Sequence, residues 1–267
     1  MNNITVGVVQ MVSGMDVNRN VLTMQRLVRE AVAQGAEWVV LPEYWPIMGK
    51  QDTDKVVLAE PFGQGALQQA MQDLARELNI VLLGGTIPLQ SPEAGKVLNT
   101  MLTYGRNGEL LGRYDKMHLF GFTGIGERYA EADTISHGEV VPNLIIEGIP
   151  VAQGVCYDLR FPEFFRAQLP FDVLVLPAAF THTTGKAHWQ TLLTARAIEN
   201  QCFVLASAQG GIHENGRHTF GHSMMIDPWG DVVISLPEGE GVIVAELNGA
   251  LLDSVRNKLP ALKHRRV

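Results

Sequence analysis

The pattern of apolar and polar residues along the chain predicts alternating strands and helices. Residues 4–10 and 38–41 are short, apolar and rich in β-branched side chains, which is typical of strands. Residues 18–34 between them carry apolar side chains at helical spacing, and Pro42 ends the second strand. A helix that connects two strands favours parallel pairing of those strands in one sheet.

Similar patterns continue to the C-terminus. Helices are predicted at 67–78 and 187–200, and strands at 80–85, 98–104, 109–114, 150–155, 173–176, 202–206, 221–226, 232–234 and 242–247. The Asn107-Gly108 turn makes 98–104 and 109–114 an antiparallel hairpin. Residues 120–138 show no clear period, so we predict a long functional loop there.

The whole chain, residues 1–267, is predicted to be one α/β domain. No repeat and no linker-like segment interrupts it, and the mixed strands and helices favour sheets that are covered by helices on their outer faces. Residues 250–267 hold a short helix and then a basic tail broken by Pro260. A monomer has little use for such a tail, so we expect it at the subunit interface of a homodimer or a higher homo-oligomer.

Composition excludes several classes of protein. The 267 residues are 46% hydrophobic, enough to bury a full core, and 21 basic against 28 acidic residues give a net charge of −7, which argues against nucleic acid as a partner. No apolar run approaches the length of a membrane span, and residues 1–10 resemble a first strand more than a signal peptide. Two cysteines are too few for a disulfide framework, so we expect a reducing, cytoplasmic setting.

Three reactive side chains of different chemistry follow three predicted strands. They are Glu43, Lys116 and Cys156. Taken singly, Glu43 and Lys116 could be solvated surface groups. Together, a thiol, a carboxylate and an ammonium supply the nucleophile, the base and the oxyanion partner of an acyl transfer.

Cys156 lies between a predicted strand and a predicted helix. Residues 150–155 are apolar, and Pro162 and Glu163 suit the first turn of a helix. The partial positive charge of a helix N-terminus would favour a thiolate at this position. The alternative is a buried structural cysteine, which is the commoner role of a single free thiol.

Longer segments around these residues resemble the nitrilase superfamily of carbon–nitrogen hydrolases, and the resemblance extends from Val6 to the C-terminal tail. The matching segments are 41–43 (Leu-Pro-Glu), 114–120 (Tyr-Asp-Lys-Met-His-Leu-Phe), 156–163 (Cys-Tyr-Asp-Leu-Arg-Phe-Pro-Glu), 177–181 (Pro-Ala-Ala-Phe-Thr), 185–189, 195–202, 221–224 and 227–230. Their number makes the resemblance highly specific.

The resemblance implies an αββα four-layer sandwich and a Glu-Lys-Cys triad. Glu43 would be the general base, Lys116 the oxyanion stabiliser and Cys156 the nucleophile of an amidase that releases ammonia through a thioester. Members of the family use a second glutamate between the lysine and the cysteine. We choose Glu131 for this role, and Glu127 is the alternative.

A substrate pocket is also implied. The backbone N–H of Tyr157 would join Lys116 in holding the oxyanion, and the loop of Ala179, Phe180 and Thr181 would line the pocket. Arg160 either binds a substrate carboxylate or forms a salt bridge to Asp158 or Glu163 that fixes the turn. Arg128 and Arg217 are further candidates for the carboxylate.

The branch of the superfamily is suggested by finer details. The 180–189 and 197–202 segments are most similar to the deaminated-glutathione amidase branch, whereas omega-amidases, which act on alpha-ketoglutaramate, usually have Gly where Ala178 stands and Asn where Thr181 stands. We expect a small-molecule amide substrate and no cofactor. We also expect no metal, because the His213-Glu214 pair begins a zinc motif that Arg217 fails to complete, and we place His213 on a loop surface.

Overall fold

The computed structural model describes residues 1–123 and 128–266. Its strands are β1 (Ile4–Gln10), β2 (Trp38–Val40), β3 (Val81–Leu83), β4 (Ile87–Gln90), β5 (Val97–Tyr104), β6 (Leu110–Asp115), β7 (Gly121–Thr123), β8 (Arg128–Ala130), β9 (Ile135–Ser136), β10 (Leu144–Ile146), β11 (Ile149–Gln153), β12 (Val173–Ala178), β13 (Phe203–Ala208), β14 (Gly210–Ile212), β15 (His218–Phe220), β16 (Ser223–Ile226), β17 (Val232–Leu236) and β18 (Gly241–Leu247). Its α-helices are α1 (Val17–Ala33), α2 (Asp54–Leu58), α3 (Ala66–Leu78), α4 (Pro162–Arg166), α5 (His182–Asn200) and α6 (Gly249–Lys258). Short 3₁₀ segments lie at Glu131–Asp133, Cys156–Arg160 and Ala261–His264.

The strands form two large sheets. The first has the order β18-β1-β2-β3-β5-β4, with β6 and β9 also paired to β5, and the second has the order β10-β11-β12-β13-β16-β17. The neighbours β1, β2 and β3 are parallel, as are β11, β12 and β13. The parallel pairing expected from the first helix and its two flanking strands is therefore confirmed.

The two sheets pack face to face. Val6 and Val8 of β1 share one apolar core with Val175 of β12, whereas Val9 points to the other face and packs in a second core with Leu27 of α1. The helices α1 and α3 cover the outer face of the first sheet, and α5 covers the second. The result is the αββα four-layer sandwich that the resemblance implies.

A glycine sets the distance between the first helix and its sheet. A Cβ added to Gly7 of β1 would lie 2.8 Å from the Cβ of Ala31 and 3.2 Å from the Cβ of Ala36. Only a residue without a side chain allows α1 to approach the strand so closely. This contact fixes the layer that carries the first parallel strands, and Glu43 lies just beyond the carboxyl end of β2.

The prediction of a long loop at 120–138 is wrong within the described residues of that stretch. The strands β7 and β8 form a hairpin, and β9 pairs in parallel with β5. The hairpin is held by aromatic contacts of Phe120 with Phe122 and Tyr129, at 6.2 and 5.6 Å between ring centroids. Such short strands have too few residues to show a period.

Several element boundaries also differ from the prediction. The helix predicted from 187 begins at His182, because the Thr181 side chain accepts a hydrogen bond from Thr184 N at 3.2 Å and caps it. The strand predicted at 221–226 begins at Ser223. The other elements that the sequence patterns missed are also short: α2, β4, β10, β14 and β15.

The C-terminal segment contains the predicted short helix, α6. Its Asn248 side chain caps the N-terminus, and Arg256 anchors the helix through Asp172 Oδ1 at 2.6 Å. The tail that follows Pro260 is largely exposed. Among the described residues, no helix is long and apolar enough to cross a membrane.

Candidate active site

The three predicted reactive groups meet where their strands end. Glu43 lies three residues after β2, Lys116 directly follows β6, and Cys156 lies three residues after β11. Glu43 and Lys116 are 0% exposed and Cys156 is 7% exposed. The Lys116 Nζ atom donates to Glu43 Oε1 at 2.9 Å. Neither Glu43 nor Lys116 is thus a solvated surface group.

Glu131 completes the charged cluster. The Lys116 ammonium donates to both of its carboxylate oxygens, at 2.9 and 2.8 Å. Glu131 also accepts hydrogen bonds from the Tyr44 hydroxyl at 2.8 Å and from Phe120 N at 2.7 Å. Of the two candidates for the second glutamate, Glu131 therefore lies in the site, and Glu127 lies outside the described residues.

The two carboxylates differ in their electrostatic surroundings. Burial raises the pKa of Glu43, and the charge of Glu131 adds to this effect, so that Lys116 offsets it only partially. Burial also acts on Glu131, but the Lys116 charge and three hydrogen-bonded neighbours outweigh it and lower its pKa. Glu43 is consequently the carboxyl suited to taking up and releasing a proton, and Glu131 stays ionised.

The expectation that the helix start favours a thiolate is wrong. Burial and the Glu43 charge raise the pKa of the Cys156 thiol well above its ordinary value. Cys156 also lies apart from α4, because a 3₁₀ segment occupies residues 156–160 and α4 begins only at Pro162. The thiol is therefore neutral at rest and needs a base to remove its proton.

The backbone of Cys156 adopts a strained conformation. Cys156 has φ = 50°, in the left-handed region that a non-glycine residue enters at a cost of about 1–2 kcal/mol. Tyr44, beside Glu43, has φ = 55° and is likewise held by its surroundings, with its N–H donating to Thr86 Oγ1 at 3.0 Å. Such strain persists only where neighbouring contacts fix the conformation, which is common around reactive groups.

Asp158 fixes the turn that carries Cys156. Its carboxylate accepts from Val155 N and from the Tyr114 hydroxyl, both at 2.7 Å, and it is 0% exposed. His118 N donates to the same carboxylate at 3.1 Å, and the His118 ring stacks on Phe161 with 3.8 Å between centroids. The turn is therefore tied to the segment that carries Lys116.

The surroundings of Glu43 leave one oxygen for the thiol. Asn99 Nδ2 donates to Glu43 Oε1 at 2.9 Å, and Gln209 Nε2 donates to the Glu43 backbone oxygen at 3.1 Å. The Oε2 atom is buried and accepts no hydrogen bond of ordinary geometry from the described residues. The Cys156 thiol is close enough to the Glu43 carboxyl to act against the rise in its pKa, so this oxygen is available to accept the thiol proton.

Cys156 lies where two clefts meet. The larger has about 610 Å³ of empty space and is lined by Glu131, Tyr44, Lys55 and Arg217 among others. The smaller has about 220 Å³ and is lined by Phe120, Cys156, Tyr157, Arg160, Ala179, Phe180, Thr181 and Thr184. The thiol therefore lies beside concave surface on two sides, as in a site for a small-molecule ligand.

All five predicted substrate-binding residues line the smaller cleft. Ala179 and Thr181 also line the larger one, and the backbone of Ala179 lies close enough to the Cys156 thiol to act against the rise in its pKa. Phe180 is 6% exposed and packs on Trp189 at 4.8 Å between ring centroids, so it serves the core as well as the cleft. Tyr157 packs edge-to-face on Phe120 at 5.3 Å.

Arg160 forms a salt bridge neither to Asp158 nor to Glu163. The guanidinium lies over the rings of Tyr157 and Phe180, at 5.9 and 5.6 Å, and its terminal nitrogens lie 3.3 Å from His188 Nδ1. The Asp158 carboxylate is engaged elsewhere. Arg160 therefore keeps donors for a carboxylate in the smaller cleft.

The other two arginine candidates lie differently. Arg217 lines the larger cleft, forms an ion pair with Asp52 and lies over the Tyr129 ring at 5.8 Å. Arg128 lies in β8 and is exposed. Of the two, Arg217 is thus the one that a ligand in the larger cleft would meet.

One group of side chains has the composition of a metal site. His182, His218 and Glu238 place one ligand atom each within 4.8 Å of one another, and His218 lines the larger cleft. Two imidazoles and a carboxylate suit zinc or a similar ion. His213 does not belong to this group.

The surface position expected for His213 is wrong. It is 3% exposed, and its ring nitrogens lie 2.8 Å from Ser13 O and from Thr219 Oγ1. Ser13 is distant from His213 in the sequence, and Thr219 belongs to β15, a strand that was not predicted. The pattern around His213 therefore gave no sign of its burial.

The patterns in the sequence missed several residues of the site. Asn99 gave a signal, because it is a polar residue within an otherwise apolar strand. Tyr44 follows Glu43 directly and could have been considered with it. Lys55 gave none, because α2 is too short for its period to be seen.

Comparison with known proteins identifies the family of the chain. A model of the carbon–nitrogen hydrolase family matches residues 5–257, and the chain belongs to that family. Its class is that of the amidases, hydrolases that act on carbon–nitrogen bonds.

Several individual relatives are named for one particular amidase activity. The chain is 40% identical to the deaminated glutathione amidase of Synechocystis over 262 residues, which is 96% of each chain. It is 36% identical to the deaminated glutathione amidase of Homo sapiens over 268 residues, 98% of this chain and 82% of the other. The crystal structure of Saccharomyces cerevisiae Nit3, a member of branch 10 of the nitrilase superfamily, superimposes with a TM-score of 0.88 at 30% identity and covers 100% of this chain and 97% of that one.

Proposed function

We propose that the protein is a cysteine-dependent amidase that hydrolyses deaminated glutathione. The observation that supports the chemistry is the buried cluster in which Lys116 joins Glu43 and Glu131 beside the Cys156 thiol. The relatives named deaminated glutathione amidase, which match nearly the whole chain, support the substrate. An omega-amidase acting on alpha-ketoglutaramate is the alternative.

The first half of the mechanism forms a thioester. Glu43 takes the proton of the Cys156 thiol while the sulfur attacks the amide carbon. The oxyanion is held by Tyr157 N–H and by Lys116, and each well-placed donor contributes about 2.7–4 kcal/mol. Lys116 directs two of its donors at Glu131, so one can turn to the oxyanion while both carboxylates stay paired.

The second half releases the products. Glu43 gives its proton to the nitrogen, the C–N bond breaks and the amine leaves. Glu43 then removes a proton from water, the hydroxide attacks the thioester carbon, and the sulfur leaves as the thiol when Glu43 returns the proton. A raised pKa suits Glu43 for these repeated transfers near neutral pH.

The product nitrogen distinguishes the two candidate substrates. Deaminated glutathione carries secondary amides, so its leaving group is the amine of a dipeptide, whereas alpha-ketoglutaramate is a primary amide. The ammonia release expected from the sequence therefore applies to alpha-ketoglutaramate. Both compounds share the 2-oxoglutaryl acyl half and would form the same thioester.

Parallel assays of the two compounds test the proposed substrate. We expect kcat/KM, measured from 2-oxoglutarate release, to be higher for deaminated glutathione by orders of magnitude. A Cys156→Ala protein is the blank for spontaneous hydrolysis. A preference for alpha-ketoglutaramate would replace the proposal with the omega-amidase.

The proposal extends to the cellular compartment, the cofactor requirement and the assembly of the enzyme. Both Cys156 and Cys202 are free thiols, and a reducing cytoplasm would keep the nucleophile active. We further propose that residues 1–267 act as one catalytic domain that needs no cofactor, and that the 250–267 tail packs in a homodimer or a higher oligomer. Exposed apolar side chains near the end of α5, Ile198 at 50% and Trp229 at 55%, support such an interface.

A further inference from the structure

The two clefts that meet at Cys156 each contain positive charge. The smaller contains Arg160, and the larger contains Lys55 and Arg217. An amide bound with its carbonyl carbon at the thiol extends in two directions, since its acyl group and its amine lie on opposite sides of that carbon. Each direction thus leads to a cationic wall.

The position of Glu43, which protonates the leaving nitrogen, identifies the direction of the amine. Glu131 and Tyr44 line the larger cleft, and Lys116 bonds Glu131 and Glu43 together. Lys116 thus holds Glu43 on the side of the larger cleft, and the leaving nitrogen must approach Glu43 to receive its proton. The amine therefore lies in the larger cleft and the acyl group in the smaller, beside Arg160.

Lys55 supplies a positive charge to the wall of the larger cleft. It is partly buried, and burial lowers the pKa of its ammonium. The ammonium has three donors, and within the described chain its one hydrogen bond is to Thr134 Oγ1 at 3.2 Å, while the Tyr44 ring lies 5.5 Å away. Two donors remain for a ligand, and an anion would offset the cost of burying the charge.

Arg217 adds to the positive charge of the same wall. It is paired with Asp52, and the same wall includes His218, which contacts Glu238 at 3.2 Å. Lys55, Arg217 and Asp52 together carry one net positive charge, and the negative charge of Glu131, which lines the same cleft, is paired with Lys116. This wall is therefore suited to one carboxylate.

We propose that Lys55 and Arg217 form a second anion subsite, which binds a carboxylate on the amine side of the scissile bond. The substrate class is then an amide with a carboxylate on both sides: one in the acyl group, at Arg160, and one in the leaving amine. This inference rests on the proposed function and deepens it. Because the acyl half is common to deaminated glutathione and alpha-ketoglutaramate, the subsite is what separates them.

A neutralised substrate tests the subsite. Deaminated glutathione is compared with its C-terminal carboxamide, in which the glycine carboxylate is uncharged, by following 2-oxoglutarate release in the presence of EDTA. The chelator keeps an ion at His182 and His218 from affecting the result. The ratio of the two kcat/KM values measures recognition of the carboxylate and is insensitive to a general loss of activity.

The wild-type enzyme should prefer the free acid by roughly 10- to 100-fold, as expected for charge-assisted hydrogen bonds. In Lys55→Gln and in Arg217→Gln the ratio should fall towards one. Lys186→Gln, which removes the same charge from an exposed position of α5, should keep the wild-type ratio.

Two results would overturn the subsite alone: a wild-type ratio near one, or an unchanged ratio in both cleft variants. Arg217→Lys, which keeps the charge, should restore much of the preference lost in Arg217→Gln, and failure to do so removes Arg217 from the subsite. If the wild type hydrolyses neither compound, the proposed function fails and the subsite with it.

Discussion

Lys116 Nζ lies 2.9 Å from Glu43 Oε1, and both side chains are 0% exposed. This pair joins the end of β6 to the segment after β2, and Glu131 joins from a third segment. Burial raises the pKa of both Glu43 and the nearby thiol, and the neighbouring carboxylate charges add to the rise, while the Lys116 charge acts against it. The site is therefore prepared for proton transfer from sulfur to oxygen.

Removing the Lys116 charge should damage both stability and activity. Lys116→Met leaves two unpaired carboxylates in the interior, and we expect it to lower the free energy of unfolding by about 3–5 kcal/mol and to abolish turnover. Urea denaturation and a steady-state assay measure the two effects. Lys186→Met at an exposed position is the control and should stay within about 0.5 kcal/mol of the wild type.

A double variant tests whether the unpaired charges, and not the lost packing, cause the loss of stability in Lys116→Met. Lys116→Met combined with Glu131→Gln should recover some of the lost stability, because one of the orphaned charges is gone, but it should stay inactive. Wild-type turnover in Lys116→Met would show that the ammonium takes no role in the chemistry.

The dependence of activity on pH should report Glu43. Burial and Glu131 raise its pKa above the ordinary 4.5, and only the ionised form accepts the thiol proton. The value of kcat/KM should therefore rise with pH through this raised pKa and then level off. Glu131, whose pKa is lowered, is already ionised over that range.

A pH profile of kcat/KM, recorded under conditions in which the protein stays folded, measures this limb. Glu246→Gln, at an exposed position, should leave the midpoint where it is. An acidic limb centred at or below the ordinary glutamate pKa of 4.5 would be inconsistent with the buried environment of Glu43.

Asp158 should act as a positioning residue. In Asp158→Asn, an amide N–H₂ or a neutral oxygen faces the Val155, Tyr114 and His118 donors, and we expect a loss of about 1–3 kcal/mol of stability. Displacement of the Cys156 turn should lower kcat by roughly 100-fold with less effect on KM. Thermal unfolding and steady-state kinetics measure the two effects.

Tyr114→Phe is the matched control for that network, since it removes one donor to Asp158 and the acceptor of Met117 N but leaves the Val155 and His118 contacts of the carboxylate. It should cost only about 1 kcal/mol and leave kcat within several-fold of the wild type. Equal effects of the two variants would mean that the carboxylate does not fix the turn.

The C-terminal tail offers a test of assembly. Light scattering coupled to size exclusion should give the mass of a dimer or a larger oligomer for the full chain. After deletion of residues 260–267 the mass should fall to that of a smaller species, while circular dichroism stays unchanged because this segment is largely exposed. A monomeric full-length protein would refute the interface.

The sequence predicted the main strands, the parallel pairing of the first two and the reactive groups that follow the strands. Those inferences depend on local patterns, since a period of two or of 3.6 residues is visible within one element. The resemblance supplied the layers and Glu131, which no period could have identified. Helix α5 began earlier than its apolar pattern, because the Thr181 cap lies outside that pattern.

The contacts that complete the site could not be predicted in this way. Asn99 reaches Glu43 across 56 positions of the chain, and Asp158 reaches Tyr114 across 44. The neutral state of the Cys156 thiol likewise depends on burial and on Glu43, so local reasoning from the helix start gave the wrong sign. Such properties arise only when the sheets are packed.

The most direct test of the account is the covalent intermediate. Rapid quenching during turnover, followed by intact-mass analysis and peptide mapping, should find a 2-oxoglutaryl group on Cys156 with either deaminated glutathione or alpha-ketoglutaramate, and none in Cys156→Ala. An adduct on Cys202, or continued turnover by Cys156→Ala, would contradict the role of Cys156 as the nucleophile.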